Sequence, residues 1–108
     1  MITREKIVED FPEMYSAMMR PEFECDDGWM QIIYDLSARL TSISNSNGVD
    51  VPKASQVKEK FGSLRFYIRP VADEIYGSVS KAIRDAEELS KFTCEICGKA
   101  GKTSNIND

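Results

Sequence analysis

Two cysteines two residues apart, Cys94 and Cys97, followed by Gly98, form the sharpest chemical signal in this sequence. Thiols at that spacing, with glycine after the second, make a tight turn whose amides can face the sulfurs, as in half of a zinc ribbon or knuckle. A closed structural zinc site takes four ligands. No second pair follows, and the chain contains no histidine. Cys25 is the candidate third ligand, with an aspartate or glutamate completing the set. Alternatively, two chains share one ion through two pairs, which implies a homodimer. The same pair also reads as inert reduced thiols or as a redox dithiol. A thioredoxin-type pair, however, opens a helix after a strand, and this one follows a helix.

Other chemistry is sparse. Without imidazole there is no ready general base or partner for a nucleophile, which removes most hydrolase designs. The carboxylates of Asp26 and Asp27 beside Cys25 are the nearest thing to an acid–base pair. The chain therefore reads as a non-enzyme.

Charge is segregated. The chain has 14 basic and 18 acidic side chains, a formal net charge of −4. Residues 1–30 hold three basic and eight acidic groups, whereas residues 51–70 hold five basic and one acidic. Two fields of opposite sign orient a partner more than they raise affinity. The candidate binding residues are Lys58, Lys60, Arg65, Tyr67 and Arg69 on the basic side, and Glu22, Glu24, Asp26 and Asp27 on the acidic side. The basic set suits phosphates with a base stacked on the tyrosine ring. The acidic set resembles a nucleic-acid backbone and suits a basic groove on a partner. Solvated faces and ordinary helix-start electrostatics account for both sets equally simply.

The elements that must position these groups can be read in turn. Thr3 caps a helix over 4–10, and Phe11-Pro12 interrupts it. A second short helix over 13–19 carries Met14, Tyr15, Met18 and Met19 as core filler. Residues 23–29 read as a loop in which Asp26 or Asp27 caps the strongest helix. Trp29, Ile32, Ile33, Leu36, Leu40 and Ile43 form its core stripe, and residues 44–48 end it. Residues 49–70 read as β, with a two-residue turn at Gly62-Ser63. That register sets Lys60 opposite Arg65 and puts Val57, Phe61, Leu64, Phe66 and Ile68 on one face, with Glu59 as the exception. A competing reading makes 55–61 a helical turn. A lone hairpin is marginal in water, so residues 49–51 are the expected third strand. A last helix over 71–91 buries Ile75, Val79, Ala82, Ile83, Ala86 and Leu89.

At 108 residues, 42% apolar and 30% charged, the chain suits one core. The expected fold class is α+β: helices packed on a short antiparallel hairpin or three-stranded sheet, with a C-terminal half zinc-knuckle. The domain occupies 1–92, and 93–108 form the knuckle and a polar tail. No apolar run is long enough to span a membrane, no signal peptide is visible, and the odd cysteine count disfavours a disulfide framework. A cytoplasmic protein is expected.

Three stretches in this order, Phe23-Glu24-Cys25-Asp26-Asp27-Gly28-Trp29, Gln56-Val57-Lys58-Glu59-Lys60-Phe61-Gly62-Ser63-Leu64-Arg65-Phe66-Tyr67 and Thr93-Cys94-Glu95-Ile96-Cys97-Gly98, resemble a family of small, functionally uncharacterised bacteriophage and prophage proteins. Longer members of that family continue to a second cluster of cysteine or histidine, and residues 98–108 hold neither. The resemblance implies a bacterial host cell as the setting. By analogy with small acidic phage proteins, it implies binding and inhibition or modulation of a host protein, such as a nucleic-acid-handling or defence complex. The alternative is a small zinc-knuckle regulator that binds nucleic acid directly.

Overall fold

Helix α1 (Arg4–Asp10) begins where Thr3 Oγ1 accepts a hydrogen bond from the Lys6 amide at 3.1 Å, and it ends at Phe11. Pro12 then opens α2 (Pro12–Tyr15), a single turn that stops short of the expected 13–19. This computed structural model describes residues 2–16, 18 and 23–100, so Met19 and Glu22 lie outside the described residues. Met14 and Tyr15 are fully buried, as core filler should be. The Tyr15 hydroxyl donates to Ser37 Oγ at 2.6 Å, and Ser37 Oγ donates to the Ile33 carbonyl. Both buried hydroxyls are thereby satisfied, so the polar atoms cost the core little. Burial raises the Tyr15 pKa above its usual value.

Residues 23–29 are not a simple loop. Phe23–Glu24 form a short strand, β1, and Asp27–Trp29 a 3₁₀ turn leading into α3 (Met30–Asn47). Neither aspartate caps the helix through its side chain, contrary to expectation. The stripe from Trp29 to Leu40 is buried, Ile43 packs at its rim, and Gly48 closes the helix at φ 65°.

Strands β2 (Ala54–Lys60) and β3 (Ser63–Ile68) form an antiparallel hairpin, which excludes the helical reading of 55–61. The turn sits one residue earlier than expected, at Phe61-Gly62. The pairs are Lys60 with Ser63, Glu59 with Leu64, Lys58 with Arg65, and Val57 with Phe66. Phe61 and Gly62 have φ of 54° and 81°, the type I′ pattern. Glu59 explains the shift. Its Oε2 accepts the Gly62 amide at 2.7 Å, so the carboxylate among apolar neighbours folds back on the turn. A shift of one residue also ejects Phe61 from the apolar face. The third strand is β1, pairing parallel with β2 at Phe23–Val57 and Glu24–Lys58, rather than residues 49–51.

Helix α4 (Asp73–Ser90) buries Ile75, Val79, Ala82 and Ala86, leaves Ile83 half-buried and, against expectation, exposes Leu89. It packs on α3 and along the outer edge of β3. There Ser90 Oγ accepts the Leu64 amide at 2.8 Å and Glu87 Oε2 accepts the Phe66 amide at 3.0 Å. An edge strand offers unpaired amides to other chains, and α4 takes two of them. The result is an α+β fold of four helices and a three-stranded mixed sheet among the described residues. None of these helices is long and apolar enough to cross a membrane.

Candidate functional site

The hairpin brings together most of the basic set. Lys58 and Arg65 face each other across the strands, while Lys60 opposes Ser63, so the expected Lys60–Arg65 opposition does not occur. Like charges directly opposite repel, and none of Lys58, Lys60, Arg65 and Arg69 has a carboxylate partner among the described residues. Arg65 Nε is buried without a hydrogen bond. Lys58 Nζ lies 6.0 Å from the centroid of the exposed Tyr67 ring, and Lys60 Nζ lies 5.5 Å from that of Phe61. Arg69 follows the end of β3, its amide donating to the Lys53 carbonyl at 2.8 Å.

Phe61 is the residue that sequence reasoning misplaced. It is 88% exposed at the hairpin apex, the most exposed of the large apolar side chains described. The usable signal was Phe-Gly between two strand-like runs, since type I′ turns favour glycine at the second central position.

The acidic set is dispersed, and among its described residues only the Asp27 side chain makes an ion pair. Glu22 lies outside the described residues. Glu24 is exposed on β1, beside Lys58 in register. Asp27 Oδ1 is 3.1 Å from Arg4 Nη2, and Arg4 also donates to the Phe23 and Cys25 carbonyls at 2.6 and 2.5 Å. Asp26 uses its backbone amide, which donates to Glu95 Oε2 at 2.9 Å.

That last contact belongs to a seat for the cysteine turn. The Gly28 amide donates to the Glu95 carbonyl, and Trp29 Nε1 donates to the Thr93 carbonyl at 3.0 Å. Within the turn, the Cys94 amide donates to the Lys99 carbonyl and the Gly98 amide to the Cys94 carbonyl, with Gly98 at φ 78°. The Cys97 amide points at Cys94 Sγ, 3.4 Å away. Amide donation from Cys97, together with the Cys97 side chain and the Ile96 and Gly98 amides, holds the Cys94 thiol below its ordinary pKa. Cys25 differs. Burial pushes its thiol up to about 12, Arg4 opposing and Glu95, Asp26 and Asp27 adding to the rise. Among the described residues no three of Cys, Asp and Glu converge in a set able to hold a metal ion, so Cys25 does not join the pair there.

Because the thiolate is the reactive form, the two environments predict different alkylation rates. Iodoacetamide near pH 8 is expected to modify Cys94 and Cys97 at least about tenfold faster than Cys25. Peptide mapping over time measures this, and equal rates at all three would contradict the burial of Cys25.

Comparison with protein-family models, curated proteins and solved structures finds no match to this chain.

Proposed function

We propose that this chain is a non-catalytic interaction protein of the phage or prophage kind its motifs resemble. It docks on a host protein through the hairpin of β2 and β3 and inhibits or modulates it. The resemblance makes a nucleic-acid-handling or defence complex the target class. Phe61 carries the reading. A bulky side chain in the left-handed region costs on the order of 1 kcal/mol, and here it also forgoes burial. Asparagine would serve the turn better. An exposed aromatic beside Lys60, at the apex of a hairpin that also carries Lys58, Arg65 and Tyr67, is instead suited to anchor a partner that presents acidic groups around an apolar pocket.

The variant Phe61→Asn separates folding from binding. It is expected to raise the melting midpoint by roughly 4–8 °C, as about 1 kcal/mol does in a domain of this size. It is also expected to reduce capture of a stoichiometric partner from bacterial lysate by more than about tenfold. Unchanged capture would remove the hairpin apex from the interface. A gel shift on single-stranded nucleic acid that is steep in salt, and flattens in Lys60→Ala or Arg65→Ala, would transfer the same surface to direct nucleic-acid binding.

A further inference from the structure

The cysteine turn is a separate surface from the hairpin, and its geometry supports an inference of its own. Cys94 and Cys97 are brought together by a closed turn. The Cys97 amide already points at Cys94 Sγ, and outer hydrogen bonds of this kind orient thiolates for a metal ion. The turn is seated from behind by Gly28, Trp29 and Asp26, so its shape is set before any ion arrives. Cys97 remains exposed. Two thiolates are half of what a tetrahedral structural ion takes. Within the described residues neither Cys25 nor a carboxylate completes the set, and Asp27, which shares a shallow depression with Cys97, is paired with Arg4.

A second observation indicates where the other half lies. Leu89, Phe92 and Ile96 are 55%, 53% and 74% exposed, so half of the six exposed large apolar side chains described fall in the eight residues 89–96, the last of them between the two cysteines. Apolar groups left in water beside an incomplete ligand set fit a self-complementary interface. In such an interface a two-fold axis passes through the ion and each chain supplies the same two ligands.

We propose that Cys94 and Cys97 bind a divalent thiophilic ion, zinc in the cell, as a four-thiolate site shared by two copies of this chain. Each chain gives two thiols, four S–H protons pass to solvent, and four metal–sulfur bonds form without any change of oxidation state. The exposed Lys99, whose carbonyl closes the turn on the Cys94 amide, offsets part of the negative charge of such a site.

The test uses the reduced full chain titrated with Zn²⁺ or Co²⁺ and followed by native mass spectrometry and cobalt absorption. The expected end point is one ion per two chains. It should be accompanied by metal-dependent dimerisation and the intense thiolate-to-cobalt band of tetrahedral sulfur coordination. Cys94→Ser and Cys97→Ser should each abolish uptake and dimer together while the far-ultraviolet circular dichroism stays native, and Cys25→Ser should leave both intact. Ile96→Asp should weaken the dimer and raise the cobalt concentration needed by more than about tenfold, keeping the fold. One ion per monomer, no uptake at micromolar metal, or a dimer that survives chelation would each overturn the proposal.

Discussion

Trp29→Ala is expected to lower the unfolding free energy by about 3–5 kcal/mol, the usual cost of emptying a buried tryptophan site. Trp29 is fully buried, and its indole N–H holds the Thr93 carbonyl at 3.0 Å. Its loss therefore opens a cavity under α3 and releases the cysteine turn at once. Small domains are stable by about 5–15 kcal/mol, so the variant should stand close to its unfolding threshold at 37 °C. Trp29→Phe keeps most of the apolar volume but leaves the carbonyl unpaired, which costs about 1–3 kcal/mol. Urea unfolding followed by circular dichroism measures both, since the chain's single tryptophan is the residue removed. A Trp29→Ala loss below about 1 kcal/mol would mean the indole does not bridge the two segments.

Gly28→Ala should be the second large effect, through crowding instead of a void. A methyl there would sit 2.3 Å from the Cys94 and Glu95 carbonyl oxygens and 2.4 Å from the Glu95 carbonyl carbon. Those atoms are backbone on a closed turn and cannot rotate away. Overpacking costs about 1–3 kcal/mol even where side chains give way, so a loss at or above the upper end is expected. Amide exchange should locate it, with the Gly28, Cys94 and Gly98 amides losing protection before those of α3. Gly77→Ala in α4 is the matched control. Nothing lies within 4 Å of its added methyl, and helix propensity predicts a gain of about 0.5–1 kcal/mol. Equal responses at the two glycines would contradict the close seating of the turn.

The helices were legible because their signals are local. Thr3, Pro12 and Gly48 act within a turn of chain, and the apolar stripes of α3 and α4 repeat at helical spacing. The hairpin was legible as a hairpin but not in register. Gly62 suits the first position of one turn type and the second of another, and the deciding contact is the Glu59 carboxylate on the Gly62 amide. Strand β1 was not legible, since two residues carry no period and its partner lies more than thirty positions away. The candidate sites followed the same division. Lys58, Arg65 and Tyr67 share a face as alternation predicts, because alternation along a strand survives a shift of the turn at their positions. Both halves of the cysteine seat stand out as motifs in the sequence, but no pattern in it announces that the segment around Gly28 meets the one around Glu95. Leu89 fits the helical stripe, yet α4 ends one residue later and the side chain stays 55% exposed at the rim of a groove between α3 and α4.

The contacts of residues 23–29 also order events in time. Phe23 and Glu24 find their strand partners only at residues 57–58, and Asp26, Gly28 and Trp29 find theirs at residues 93–95. A ribosome delivers the chain from its N-terminus, so this segment must wait, its indole wet, until nearly all the described sequence has emerged. Docking that depends on such distant pairings closes late and slowly. Chains truncated before residue 93 should consequently be sensitive to proteases around Trp29, and chains extended through residue 100 should lose that sensitivity.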